Sequence, residues 1–418
     1  MAVASLDCMD TLPHLMRDLT PVWVHGTAAQ AHRVFAGQGL EDLLVFNQRE
    51  ITTSDQSAAF GYDTSIALEL AFRADQARQL QQEALRQCGL FRVADGFHCQ
   101  SDRPLRLLAI VAPGDFMVNT PLDFISLHLD VRLDLLFVVP GQSLPAKLPD
   151  HDVAFFAVSD AEPSTWRRLE QLYQIWPRPA LNNPAGIRRL TRDRVADGLA
   201  GCAAINSPPA LRLLRADLAA HRRGMRDIPL LAPGQAAIIR PVGSHAGQEL
   251  EKLDTPADLA AYLGRSAAEE FFVTRFIDYR SPDGLYRKFR VAFIDGAPFL
   301  CHMATSEHWM VHYLNAGMNE NAARRAEEAQ AMATFDTGFA SRHAAAFAAL
   351  NDWMGLDYYQ IDCAETPDGR LLVFEVDTAA IIHLMDPPDL YPYKPAQMRR
   401  VFAAFDAMLR RHSKAPAA

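Results

Sequence analysis

Residues 358–366, YYQIDCAET, and 370–377, RLLVFEVD, are two apolar stretches rich in aromatic and β-branched residues. Asp368-Gly369 separates them, a dipeptide that favours the positive φ angles of a tight hairpin turn. This pairing constrains the chain more than any other feature, because it sets three carboxylates in an apolar frame. Side chains alternate along a strand, so Glu375 and Asp377 share one face. Folding back at the turn brings the strand of Asp362 beside them. At about 4 Å and an effective dielectric of about 20, each like-charged pair costs on the order of 4 kcal/mol. A divalent cation removes that cost. Hard oxygens with few other donors suit Mg²⁺, which takes one or two carboxylates and completes its shell with substrate phosphates. A solvated acidic hairpin is the plain alternative, but Ile361, Leu371, Leu372, Val373, Phe374 and Val376 describe a buried strand, where idle acids are rare.

Three upstream stretches supply what such an ion would need beside it. In 238–247, IIRPVGSHAG, an apolar strand ends in Arg240 and then in a loop of small residues with Gly243, Ser244 and Gly247. Such a loop lets backbone N–H groups approach phosphate oxygens while Arg240 supplies charge. It is no Walker A loop, since no Gly-Lys-Ser/Thr follows; an ordinary β-turn is the alternative. In 272–278, FVTRFID, the strand through Thr274, Arg275, Phe276 and Ile277 offers backbone hydrogen bonds and apolar contacts to an adenine. In 286–291, YRKFRV, Lys288 and Arg290 share a strand face and aim two cations at phosphates or an anionic substrate, unless they form a solvated basic face.

The remaining chain frames these pieces. Its 418 residues predict two or three domains. Residues 1–104 read as a partly helical accessory region, with one amphipathic helix over 66–88 and Gly89 as its C-cap. Over 105–185, apolar strands at 105–113, 133–141 and 152–160 alternate with helices at 119–129, capped by Asn119, and 164–176. This pattern predicts an α/β unit with a largely parallel, Rossmann-like sheet. Without Gly-x-Gly-x-x-Gly at its first turn, no dinucleotide is expected there. Helices at 185–200 and 208–223 open the third region, strands follow, and a final helix over 395–412 precedes a frayed tail at 412–418. The net charge of −9 argues against nucleic acid as a partner. Six scattered cysteines without a Cys-x-x-Cys pair fit reduced thiols in the cytoplasm. The N-terminus lacks the basic start of a signal peptide, and no apolar run of roughly 18 residues predicts a membrane span.

In their order along the chain, these motifs resemble the ATP-grasp superfamily, and within it the glutathione-synthetase/RimK-type ligases. The resemblance covers residues 105–411. LNNPAGIRRLTRDRVADGL (181–199) resembles the entry to the nucleotide domain, IIRPVGSHAG the strand with its flexible loop, FVTRFI the adenine hinge, and RKFRV the Asp-x-Arg-Val strand. Asp362, thirteen residues before Glu375-x-Asp377, resembles the metal-binding Asp and Glu-x-Asn. The resemblance implies an α/β fold with a Rossmann-like pre-ATP-grasp domain (105–185) followed by an ATP-grasp domain of two α+β subdomains (186–411). It further implies ATP and Mg²⁺, or Mn²⁺ in its place, held at Asp362, Glu375 and Asp377. Arg240, Gly243, Ser244, Gly247, Thr274, Arg275, Phe276 and Ile277 are then nucleotide contacts, and Lys288 and Arg290 catalytic cations.

The implied reaction is ATP-dependent carboxylate–amine ligation through an acyl phosphate, on small-molecule acids and amines such as amino acids or peptides. His308, Trp309, His312 and Asn315 fall where the family contacts its acceptor substrate. Were 308–312 helical, His308 and His312 would share a face and offer a second metal site. The chain departs from the family pattern in Arg240 for Lys, Asp377 for Asn and Lys288 for Asp. An ATP-grasp kinase and a non-catalytic ATP sensor remain the competing readings. The sequence carries no oligomer signal of its own; a homo-oligomer is in keeping with the resemblance.

Overall fold

The computed structural model describes residues 20–94, 101–145, 147–244, 247–313 and 316–414. Its first unit contains β1 (Val22–Val24), α1 (Gly26–Phe35), α2 (Leu40–Phe46), α3 (Ser54–Leu70), α4 (Ala74–Gln87), β2 (Leu90–Val93), β3 (Leu105–Val111), α5 (Leu122–Ser126), β4 (Val131–Phe137), β5 (Val153–Phe156), α6 (Pro163–Gln174) and β6 (Ala180–Leu181). These strands form one sheet in the order β1-β2-β4-β3-β5-β6, parallel at every pairing except β2 on β4. The α/β expectation therefore holds. The expected boundary at residue 104 separates no structure, because β1 and β2 extend the same sheet and Tyr62, Ile66 and Phe91 share its core with Leu107 and Phe155.

Three local expectations are corrected. The single helix over 66–88 is two helices. Phe72, at φ 59° and 97% exposed, takes the left-handed position in which its N–H reaches the Glu69 carbonyl and that of Arg73 reaches Leu68, a Schellman stop. Asn119 caps nothing: its amide bonds both backbone groups of Ala112 at 2.8 Å, and α5 is only five residues long. The helix expected over 208–223 begins as a strand, because 210–214 pairs along its length with a neighbouring strand.

The turn between β1 and α1 is the place where a parallel sheet can receive an anion. Here protein carboxylates already fill it. Asp63 accepts from the N–H groups of His25 (2.9 Å) and Gly26 (3.1 Å), and Asp123 from that of Ala28 (2.8 Å).

The second unit follows α7 (Pro184–Ile187), α8 (Arg192–Leu199) and β7 (Ile205–Asn206). It holds β8 (Ala210–Leu214), α9 (Arg215–Arg222), β9 (Ala237–Pro241), β10 (Glu251–Leu253), α10 (Pro256–Arg265) and β11 (Glu270–Arg275). Its antiparallel sheet, β10-β9-β11-β8, packs Ile239, Phe271 and Val273 on Leu218 and Tyr262. The third unit holds β12 (Tyr286–Ile294), β13 (Ala297–Ser306), α11 (Ala322–Ala333), α12 (Phe339–Arg342), α13 (Ala344–Met354), β14 (Tyr358–Glu365), β15 (Leu371–Asp377) and α14 (Lys394–His412). Its sheet runs β13-β12-β14-β15-β7, antiparallel until the parallel β7 joins its edge.

Two features join the first and third units. Asn182 adopts φ 54° and pairs its buried amide with both backbone groups of Tyr358, at 2.7 and 2.9 Å. The apolar face of α14, with Val401, Phe405 and Met408, lies in the same core as Phe155 of β5 and Tyr358 of β14.

Candidate active site

The β12–β14–β15 register sets one row of polar side chains across four strands. His302 pairs with Arg290, Arg290 with Asp362, and Asp362 with Glu375. The row lies on the face turned towards the second unit, and between the two antiparallel sheets opens a cavity of about 640 Å³. That volume is in the range of small-molecule sites, roughly 300–1,000 Å³.

Asp362 is gripped from its own sheet. Lys288 Nζ donates to Oδ2 at 2.8 Å, and Arg290 forks onto both oxygens at 2.8 and 3.0 Å. Burial pushes this carboxyl up, but Arg290 and Lys288 push harder and hold it well below the usual carboxylate range. Burial likewise opposes the charge of Arg290, and Asp362 more than restores it. Glu375 is pushed up by burial and drawn below its ordinary value by Arg192, whose Nη2 donates to Oε1 at 2.5 Å. Asp377 moves the other way. Burial and then the neighbouring Glu375 raise it, against the N–H of Ala379 (2.7 Å) and the hydroxyl of Ser159 (3.0 Å), both on Oδ1.

Among the described residues, the second oxygens of these two acids, Glu375 Oε2 and Asp377 Oδ2, accept no hydrogen bond. The expected convergence of three acids is therefore corrected to a pair. Asp362 is neutralised by Lys288 and Arg290, because cations two residues apart on β12 reach it first. Among the described residues, the ligand atoms of Asp362, Glu375 and Asp377 do not gather within 4.8 Å of one another, as those of Asp295, Asp357 and His412 do. Two facing carboxylates, one with a raised pKa and each with an open oxygen, fit a divalent cation.

The opposite wall comes from the second unit. Arg240 is pulled down to about 10 by burial and then by the charge of Arg192. Its Nε donates to Ser244 Oγ at 3.0 Å, and its Nη2 grips the Ser244 carbonyl, so the cation closes its own loop. Gly243, at φ 78°, and Ser244 belong to that turn and do not line the cavity, whereas Arg240 and Gly247 do. Thr274, Arg275, Phe276 and Ile277 line the cavity where β11 ends. The Phe276 ring lies 4.6 Å from Lys252 Nζ and meets Trp309 edge-on at 5.8 Å.

Trp309 and His312 line the cavity, and burial lowers the His312 pKa. Residues 307–312 are not helical, so the imagined i,i+4 histidine pair does not form, and His308 is exposed outside the cavity. Asn315 lies outside the described residues.

Sequence reasoning missed Arg192, His302, Tyr313 and Lys394, all of which face the cavity. Arg192 sits in a run of arginines with no spacing that ties it to Glu375. His302 is a lone strand histidine, and its buried Nδ1 has no hydrogen-bond partner among the described residues. Lys394 did leave a signal: a lysine in the first turn of a helix opposes the helix dipole. It is held by Asp386 at 3.0 Å, by Glu328 at 3.6 Å, and by the faces of Tyr313 and Tyr391.

No protein-family model matches the chain, and no curated protein does. Among solved structures, the chain is similar to D-alanine–D-alanine ligase from Bacillus anthracis complexed with ATP, with 16% identity, 72% of this chain and 98% of that one covered, and a TM-score of 0.41. For D-alanyl-alanine synthetase A from Vibrio cholerae these values are 11%, 74%, 98% and 0.47. For a RimK domain ATP-grasp protein from Sphaerobacter thermophilus they are 14%, 73%, 99% and 0.39. Among the described residues no helix is long and apolar enough to cross a membrane. Two largely antiparallel sheets thus close on one cavity, with the acidic hairpin on one wall, the Arg240 strand on the other and a largely parallel α/β unit before them.

Proposed function

We propose that the protein is an ATP- and Mg²⁺-dependent carboxylate–amine ligase that forms an amide through an acyl phosphate. The order of charge around the cleft carries this reading. Arg192 and Arg240 approach Glu375 from one side, Asp362 is locked by Lys288 and Arg290, and Glu375 and Asp377 each keep an oxygen open. Bound Mg²⁺ supplies charge neutralisation and Lewis acidity at a transferring phosphoryl group.

The chain's own residues do the rest. Glu375 and Asp377 would hold the metal, and Arg240 and Arg192 would offset phosphate charge. Thr274 to Ile277 would seat the base. Arg290, fixed by Asp362, would face the carboxylate oxygen as negative charge shifts onto the phosphoryl group. That oxygen bonds to the γ-phosphorus while the bond to the bridging oxygen breaks and ADP leaves. An amine nitrogen then attacks the carbonyl carbon, phosphate departs, and the nitrogen sheds a proton to solvent. Walls that close around the site would keep water from the acyl phosphate.

A screen of amino acids and small peptides for substrate-stimulated ADP release, with mass measurement of the product, tests this. A ligase gives ADP, phosphate and a new amide only when acid and amine are both present. A stable phosphorylated product instead marks a kinase, and nucleotide binding without ADP marks a sensor. Glu375→Ala abolishes Mg²⁺-dependent turnover with the circular dichroism spectrum unchanged; full activity in that variant overturns the metal assignment.

A further inference from the structure

Beyond the acidic strand the cavity continues into a second lobe. Its wall is built where the chain leaves β15 and runs as residues 379–386 towards the first unit. Phe35 at the end of α1, Met117 after β3, Ile381 and Met385 on the crossing segment, and Met398 on α14 all line it. Ile381 and Met385 pack against Ala28 and Ala31 of α1 and Phe124 of α5, and the Phe35 ring lies 5.8 Å from that of His383. Phe35 is 53% exposed, so a large apolar side chain stands open to whatever enters.

The polar groups of this lobe are already answered. Lys394 and Asp386 pair at 3.0 Å. His383 is held down to about 4 by burial, against the pull of Asp386, so its ring is neutral at physiological pH. Among the described residues, a charged group entering here would lose its water and meet no free counter-charge, whereas an apolar group would cover Phe35 and the methionines, whose unbranched side chains adapt to its shape.

We infer that the acid this protein activates carries a bulky apolar side chain, which the lobe of Phe35, Met117, Ile381, Met385 and Met398 receives while its carboxylate faces Arg290. The inference rests on the ligase reading and adds to it the class of acid.

Hydroxylamine tests it without knowledge of the natural amine. Its nitrogen attacks the acyl carbon, the bond to phosphate breaks, one N–H proton leaves, and a hydroxamate remains. The full chain is incubated with ATP, Mg²⁺ and hydroxylamine, and with leucine, phenylalanine, methionine, alanine, glutamate or lysine in turn. Leucine, phenylalanine and methionine give hydroxamate with a kcat/KM roughly 10–100-fold above alanine, in keeping with the value of added methylenes in an apolar pocket, and glutamate and lysine give none.

Phe35→Ala narrows the gap between leucine and alanine by lowering kcat/KM for leucine; an unchanged ratio overturns the assignment of this wall to the side chain. Calorimetric titration with a non-hydrolysable ATP analogue and Mg²⁺ present reproduces the same order of affinities. Preference for alanine, glutamate or lysine overturns the apolar assignment and leaves the ligase reading standing. Hydroxamate from none of the acids overturns the ligase reading and this inference with it.

Discussion

Asp362 and Asp377 are two acids of one hairpin that the fold treats in opposite ways. Asp362 faces two cations and is stabilised as an anion. Its lowered pKa means that its contribution to stability is complete above the ordinary carboxyl value of about 4 and is lost as pH falls from there towards the folded value. Asp362→Asn leaves the largely buried Arg290 and Lys288 without the anion they both grip. It should cost about 3–5 kcal/mol at pH 7 in urea unfolding, and its stability should fall less than that of the wild type between pH 5 and pH 3. Asp377 has the opposite sign, because burial and Glu375 raise it. Stability therefore declines as pH rises from the ordinary carboxyl value through the folded one. Relief of one like-charge contact is worth about 1–4 kcal/mol, so Asp377→Asn should be more stable than the wild type by that amount at pH 7 without metal. Adding Mg²⁺ should raise the Tm of the wild type by scanning calorimetry and move that of the variant much less; equal shifts would place the ion elsewhere.

At the scale of elements, packing overrules local preference in several places. Gly186 lies in α7, where alanine is the better helix former by about 1 kcal/mol. It is buried, however, and a Cβ there would come within 2.7 Å of the Leu356 side chain and 3.3 Å of the Met354 carbonyl. Gly186→Ala should therefore destabilise by about 1–3 kcal/mol, read as a lower urea midpoint at unchanged slope. The same competition explains the break between α3 and α4. Periodic apolar positions run through 66–88, yet the chain stops at Phe72 in the left-handed region, which is normally a glycine's place. Strand pairing decides 210–214 likewise: the residues suit a helix, but β11 offers a full set of backbone partners.

At the scale of the whole molecule, α14 is the tie. Phe405 is buried against Phe155 of the first unit and Tyr358 of the third, with ring centroids 6.0 and 5.2 Å away. Phe405→Ala should cost about 3–5 kcal/mol. Because the two units share this core, they should still unfold in one calorimetric transition with a lower Tm; two separated transitions would show that the units are held independently.

What the sequence by itself determined is which strands line the cavity and their order along the chain. The acidic hairpin, the Arg240 strand, the strand leading to Phe276 and the Lys288/Arg290 strand were legible because alternation along a strand and an Asp-Gly turn are local rules with few alternatives. The parallel sheet over 105–181 was legible for the same reason, since its strands are short apolar runs between helices. Only the tertiary structure decided which charges meet. That Asp362 goes to Lys288 and Arg290, that Arg192 reaches Glu375 across 183 residues, and that Lys394 meets Glu328 depends on strand register and on how three units pack. It alone also joined residues 22–93 to the sheet of 105–181, because pairing of β2 with β4 is settled by which edge is left open. Contacts of that kind follow from the folded chain's distances, and no spacing along the sequence encodes them.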